Sequence, residues 1–295
     1  MAELEVNEPA PVIVEIAGRR FMSHDRDPAG WWIQREGLTE WWDSPETRFE
    51  DTPIPGQHGS FDPDDVLIAA RTFPFIGRHR AVTFEWADRE VRTWAAGLAA
   101  RRDVEVRVYA AGRWLHLRWA KIRGRVRVRE VNSRICEFQL PIWAADPRKY
   151  ADDVTTVVNA TVVPAGGLTL PVVDGALAFG APGTASFPGV FQVENPGTAD
   201  FFPTFTVRGP VTDFTITSEG RAIEYAAPLA AGQELVLSPY LGGRAVLDGV
   251  DVSHNLTQAS WVPVDGGQTR GYFFNATDPG LGAQLEVTYP NGAWW

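Results

Sequence analysis

From residue 151 onward the sequence is a succession of short runs rich in Val, Phe, Thr, Leu and Ile, cut by clusters of Gly, Pro, Asn and Asp. FTVRG, FTITSEG, LVLSPY, RAVLDG and LEVTYPNG are examples. None is long enough, or has the period, to form an amphipathic helix. Turn signals at a spacing of roughly 8–12 residues predict an antiparallel β-sandwich or barrel. No fixed-period repeat is present, which excludes a propeller or a solenoid.

The first half is organised differently. After an arm of about ten residues rich in Glu and Pro, expected to have little local structure, PVIVEIAGRRFMS reads as a strand pair turning at Ala17-Gly18, because Val12, Val14 and Ile16 alternate. Residues 25–65 are dense in turn formers around the doublets Trp31-Trp32 and Trp41-Trp42. VLIAARTFPFIGRHRAVTFEWA reads as two strands broken near Ile76-Gly77-Arg78. A helix is expected over residues 88–101, with Asp88 as its cap and Val91, Trp94, Ala95 and Leu98 on one face. Strands then resume, with a hairpin tip at Ala111-Gly112 and a bulge or bend at Gly124. The expected class is mainly β with one short helix (α+β), in two domains, 1–150 and 151–295.

Composition agrees with two packed bodies. At about 100–200 residues per domain, 295 residues suggest two, and 44% hydrophobic content excludes a disordered chain. A single cysteine, Cys136, excludes internal disulfides and Cys-rich metal sites; it is expected to be a buried strand residue. MAELEVNEPAPVIVEI shows no basic region before an apolar run, so no secretory signal is expected, and apolar runs fall short of the ~18 residues of a membrane span. The expectation is a soluble protein of a reducing compartment. Residues 1–150 carry 23 basic and 23 acidic side chains, whereas residues 151–295 carry 4 and 14. The whole net charge of −10 therefore belongs to the second half, which argues against nucleic-acid binding there.

Chemistry-bearing motifs are sparse. His24, His58, His79, His116 and His254 include no pair at metal-ligand spacing. The acidic pairs Asp64-Asp65, Asp152-Asp153 and Asp248 with Asp251 read best as solvated loop acid. No nucleophile elbow, Walker or dinucleotide motif is present, and no cofactor or metal is expected. Two other features stand out. Arg123, Arg125, Arg127 and Arg129 alternate with Gly124, Val126 and Val128, which on one strand puts four guanidinium groups on one face. They suit a basic stripe for nucleic acid or for an acidic partner subunit, or equally an exposed face paired with Glu85, Glu105 and Glu130. Trp31, Trp32, Trp41 and Trp42 suit a partner contact, core packing or a sugar-stacking platform.

Taken in order, GWWIQREGLTEWWDSPETRFEDTPIPGQHGSFDP, ARTFPFIGRHRAVTFEW and FQLPIWAADPRKY resemble the distal tail protein of long-tailed phages of Gram-positive bacteria. The resemblance rests on Pro55-Gly56-Gln57-His58-Gly59, on Arg71-Thr72-Phe73 and on Ala145, Asp146, Pro147 and Tyr150. In the second half Asn195, Gly197, Ala199, Pro203, Gly209 and Pro210 match a further segment, LAAGQELVLSPYLGGRAVLDGVDVSHNL a hairpin, and GAWW a closing aromatic strand. Ser238 departs from the family's usual Asp, and GGQTR from its usual turn.

The resemblance implies a non-catalytic virion protein. It implies a ring-forming N-terminal domain, hexameric in the family and continuing the tail tube, and a galectin-like C-terminal sandwich. Implied partners are further copies of the chain, the tail tube protein, the tail hub or tail-associated protein and the tape measure protein, with receptor-binding proteins added. DNA would be met only by passage through the lumen, and no membrane is implied. Localisation would be the phage tail tip, after synthesis in the bacterial cytoplasm. The alternatives are a carbohydrate-binding surface module and, third, a glycan hydrolase using loop carboxylates.

Overall fold

The computed structural model describes residues 12–23, 30–48, 54–58, 60–61, 67–160 and 189–295. The N-terminal arm and Asp64-Asp65 lie outside the described residues. The chain divides into two compact units, Met1–Asp152 with Trp294–Trp295, and Asp153–Ala293. Both are mostly β, and among the described residues there is one α-helix.

The first unit begins with β1 (Ile13–Ile16) and β2 (Arg19–Met22). Between them Ala17 and Gly18 both take positive φ, the two-residue turn whose twist suits a hairpin. After β3 (Trp31–Ile33) come the short mutual partners β4 (Thr47–Arg48) and β5 (Leu67–Ile68). Next are β6 (Arg71–Arg80), helix α1 (Phe84–Ala99), β7 (Val106–Ala110) and β8 (Arg113–Leu117), the last two turning at Ala111-Gly112. The unit closes with β9 (Ala120–Ile122), β10 (Arg127–Asn132), β11 (Ile135–Ala144) and β12 (Lys149–Tyr150). One 11-stranded sheet holds most of these, running β10-β11-β6-β3-β2-β1-β7-β8-β12 and ending on Ala293–Trp294, with β9 also against β11.

β6 is one continuous ten-residue strand, not two. Gly77 is no break, because it pairs with Phe138 on β11, whose ring lies across it. A Cβ on Gly77 would sit 2.4 Å from Phe138 Cζ. Pro74 and Pro141 are also opposed in this register. Ile76 bonds toward Gln34 and Gly37, and the Pro141 carbonyl accepts from Arg123 N. By the alternation of an antiparallel ladder, both prolines place their missing N–H on the outer side of the β6–β11 pair, where this ladder loses nothing.

Helix α1 starts a turn earlier than expected. Thr83, not Asp88, is the N-cap, and its side chain accepts from Trp86 N at 3.3 Å. The β-prone letters TFEW disguise that first turn as strand. Asp88 instead pairs with Arg92 across one turn at 2.8 Å. The expected face is the observed one: Ala87, Val91, Ala95 and Leu98 are buried and Trp94 packs beside them.

The second unit contains β13 (Asp153–Asn159), β14 (Val190–Glu194), β15 (Thr204–Arg208), β16 (Asp213–Ser218), β17 (Arg221–Tyr225) and β18 (Glu234–Ser238). It continues with β19 (Arg244–Leu247), β20 (Val250–Asp251), β21 (Leu256–Ala259), β22 (Thr269–Thr277), β23 (Gln284–Pro290) and β24 (Ala293–Trp294), whose Trp294 belongs to the first unit. All its pairings are antiparallel, in a six-stranded sheet β13-β23-β15-β18-β19-β20 and a five-stranded sheet β14-β22-β16-β17-β21. Phe205 of the first sheet meets Phe191 and Tyr272 of the second at 6.4 and 5.6 Å, so the two inner faces close on one core as a sandwich. Asn195 is wholly buried: its amide donates to the Ala199 and Val264 carbonyls and its oxygen accepts from Gly197 N and Ala293 N.

Two glycines give opposite tests of this packing. Gly77→Ala is expected to cost about 1–3 kcal/mol by overpacking Phe138. Gly97→Ala, on α1 with open space at its Cβ, is expected to stabilise by up to about 1 kcal/mol. Chemical denaturation measures both, and shifts of the same sign would contradict the assigned faces.

Candidate assembly surface

The two faces of β6 and β11 differ sharply. Phe73, Phe75, Phe138, Leu140 and Ile142 point to the core, whereas Arg78, Glu137, Pro141 and Trp143 alternate onto the open face. Glu137 is the anchor of that face. Its carboxylate accepts from Arg78 Nε and Nη2 at 3.0 and 2.9 Å and from Arg129 Nε at 2.7 Å, and its side chain is only 9% exposed. Two guanidinium groups thus hold one largely buried carboxylate, an arrangement in which charge-assisted bonds offset desolvation.

The arginine stripe is real only in part. β10 begins at Arg127, and Gly124, at φ +120°, breaks the chain before it. Arg123 lies apart, 4.3 Å over the ring of Trp143. Arg129 is tied to Glu137, while Arg125 and Arg127 are exposed and meet no carboxylate among the described residues. The expected partners Glu85, Glu105 and Glu130 do not serve; Glu85 begins α1 instead of lying on a neighbouring strand. β10 is, among the described residues, the outer edge of the sheet.

The tryptophan platform is corrected more fully. Trp31, Trp32 and Trp41 are buried and belong to the core, leaving no face for a partner or a sugar. Trp31 stacks on His79 at 3.8 Å, and Trp41 packs edge-on against Phe73. Trp42 alone of the four is exposed, at 55%, on a cavity of about 230 Å³ that also touches Ile33, Gln34, Leu38 and Thr39.

Residues far apart in the chain meet around Trp41. Asp146 accepts from Arg148 N at 3.1 Å and from Tyr150 Oη at 2.6 Å. Arg71, buried, donates Nε to the Pro147 carbonyl and Nη1 to the Asp43 carbonyl. Lys149 Nζ donates to the Trp41 carbonyl at 3.2 Å. Burial, with Arg71 and Arg113 nearby, pushes the Lys149 amine down to about 8. Sequence reading missed Glu137, Lys149 and His79; the last has Nε2 2.5 Å from Glu90 and Nδ1 3.1 Å from the Gly30 carbonyl.

The remaining acid–base candidates have structural surroundings. Asp152 pairs with Arg107 at 2.9 Å, Asp248 accepts from Glu234 N, and Asp251 accepts from Ser253 N and Oγ, which holds its carboxyl below the usual range. His58 is exposed. Cys136 is buried, and desolvation pushes its thiol up to about 11. No three His, Cys, Asp or Glu residues come together to hold a metal among the described residues. No helix is long and apolar enough to cross a membrane among them.

What the geometry defines is a two-unit β protein whose distinctive surface is a charged open sheet face bordered by an edge with no neighbour among the described residues. No protein-family model matches the chain, and no curated protein matches it. Among solved structures, the Dit protein of phage SPP1 aligns over 96% of this chain and 99% of its own, at a TM-score of 0.61 and 14% identity. That protein is described as a paradigm of the hub adsorption apparatus in phages infecting Gram-positive bacteria. The phage P2 baseplate in its activated conformation, with calcium and with strontium, aligns at a TM-score of 0.48 and 7% and 8% identity. These alignments cover 95% and 94% of this chain and 99% and 98% of the baseplate chains. The fold is therefore that of the SPP1 Dit protein, in agreement with the distal tail resemblance carried by the sequence.

Two measurements test the site. Glu137→Ala is expected to cost about 1.5–3 kcal/mol in chemical denaturation, and Glu130→Ala under about 0.5 kcal/mol. For Lys149, the folded amine sits near 8 against 10.5 in the unfolded chain, so the unfolded state binds more protons between those values. The burial penalty is complete below about pH 8 and fades as pH rises toward 10.5. The stability difference between wild type and Lys149→Met should therefore move in favour of wild type over that window. A difference that stays flat with pH would contradict the assignment.

Proposed function

We propose that this chain is a structural distal tail protein of a siphophage virion. In this reading it forms a ring at the tail tip, six copies by family resemblance, joining the tail tube to the baseplate and host-recognition apparatus. The observation that carries it is the fold shared with the SPP1 Dit protein over nearly the full length of both chains. The first unit would build the ring and the second, galectin-like sandwich would face outward to hold recognition components. Arg123, Arg125, Arg127 and Arg129 are proposed to serve a subunit contact or the lumen through which DNA passes, Arg125 and Arg127 foremost. The tail tube, the tail hub or tail-associated protein and the tape measure protein are the proposed neighbours, receptor-binding proteins are proposed to attach to the outer unit, and the role is non-catalytic.

The carbohydrate-binding alternative drew on the tryptophan doublets and on the β-sandwich half; three of those four rings are core. Mass measurement and electron micrographs of the purified protein test the proposal. Annular particles of uniform copy number are expected. A monomer at every concentration that binds cell-wall polysaccharide would overturn it in favour of the lectin.

A further inference from the structure

β10 presents an outer edge with a defined length and a defined charge. With the two residues that lead into it, it is bounded by the Gly124 kink on one side and by a register shift between Glu130 and Asn132 on the other, which leaves residues 125–130, of which Arg127–Glu130 pair with β11. Within them Arg125, Arg127 and Arg129 are exposed on the open face, while Val126 and Val128 are half-buried and pack on the core. Arg129 already has Glu137. Arg125 and Arg127 are thus cations without a carboxylate among the described residues, beside a strand edge with no neighbour among them.

The sequence supplies a segment that fits this edge. Residues 3–8 read Glu-Leu-Glu-Val-Asn-Glu and are followed by Pro9 and Pro11, which cannot continue a ladder. Glu3 and Glu5 alternate with Leu4 and Val6, so in an extended conformation the acids share one face and the apolar pair the other. Laid beside β10, one choice of faces puts Glu3 and Glu5 next to Arg125 and Arg127 and puts Leu4 and Val6 next to Val126 and Val128. Opposite charges facing each other across strands attract, and the ladder itself adds main-chain bonds. The opposite choice would bury acid against valine, so the segment is specified by both faces.

We propose that residues 3–8 of one copy add as a strand to the β10 edge of a second copy. The proposal deepens the assembly reading above and rests on it. A second copy is required by reach. Five strand-to-strand steps separate β1 from β10, about 24 Å along the sheet at 4.7–4.9 Å each. The four residue steps from Glu8 to Val12 span at most about 14 Å at 3.3–3.6 Å each. The chain's own arm is too short to cross its own sheet, whereas a neighbouring copy has no such constraint.

Disulfide capture in the full-length chain tests this, since the native Cys136 is buried and does not compete. Glu5→Cys protein is mixed with Arg125→Cys, Arg127→Cys or Arg129→Cys protein under mild oxidation, with Arg92→Cys on the exposed side of α1 as control. At least one β10 position is expected to cross-link about ten-fold faster than the control. Equal rates at all three would overturn the proposal, as would an intramolecular bond in the dilute Glu5→Cys/Arg127→Cys double variant. Charge reversal is the second arm. Arg125→Glu with Arg127→Glu should slow the β10 cross-link captured through Arg129→Cys about ten-fold, and Glu3→Arg on the Glu5→Cys partner should restore part of it. Failure of any restoration overturns the facing charges. Multimers of uniform mass without the cross-link would leave the ring reading standing and remove this contact. The cross-link without multimers would do the reverse.

Discussion

Two rings organise the first unit. Phe21 and Phe138 lie 6.0 Å apart, and each also meets Trp31, Phe75 and Trp94 within about 6.2 Å. These five side chains come from β2, β3, β6, β11 and α1, so a single aromatic cluster ties the helix to four strands that are far apart in sequence. Because strand side chains alternate, committing Phe75 and Phe138 to this cluster commits their neighbours Arg78 and Glu137 to the other side. The charged open face is the reverse of the aromatic core. The same geometry dictates Gly77, since any side chain there would stand where the Phe138 ring lies.

Local signals were legible where local chemistry decides the outcome. The Ala17-Gly18 and Ala111-Gly112 turns, the buried stripe of α1 and the strand-rich second half could all be read from residue order. What misled were positions whose role is set from across the fold. Gly77 looked like a strand break because a glycine that clears space for a distant ring has the same letter as one that bends the chain. Asp88 looked like a cap because nothing in the sequence says that Thr83 is already extended and free to cap the helix. Glu137 was invisible as the anchor of the arginines, since its partners Arg78 and Arg129 reach it through strand pairing with β6 and β10. The tryptophan doublets left partner contact, core packing and sugar stacking open, and for three of the four rings the fold decides for the core.

The motifs behind the family resemblance acquire physical reasons in this fold. Arg71 and the Ala-Asp-Pro-x-x-Tyr run, 76 residues apart at the Arg71–Pro147 bond, close on each other around Trp41. Asp146 holds Arg148 N and Tyr150 Oη with its two oxygens, which fixes the turn that delivers Lys149 to the Trp41 carbonyl. In the second unit Asn195 satisfies four backbone groups, and Gly197 must be a glycine because a Cβ there would collide with the Ala293 carbonyl. Ser238, a departure from the family pattern, is buried and accepts from the Thr204 hydroxyl at 3.2 Å. These residues hold turns in place.

Charge divides the labour between the units. Of the four arginines at positions 208, 221, 244 and 270, three are already engaged: Arg208 with Glu234 and Glu286 at 3.3 Å, Arg244 with Asp251 at 3.7 Å, and Arg270 with Asp265 at 2.8 Å and with Glu219. With 14 acidic residues against 4 basic ones, that half keeps a net charge of −10 even with these pairs made. Like surfaces of that kind repel within a Debye length of about 8 Å at physiological salt, so identical sandwiches do not hold copies together through their exposed acid. Over residues 1–150 the balance is even, and Arg125 and Arg127 are among the exposed cations that meet no carboxylate among the described residues. In the assembly proposed above, the β10 edge and acid outside the sandwich supply one attraction between copies. Glu3, Glu5 and Glu8, which precede Pro9, are acid of that kind.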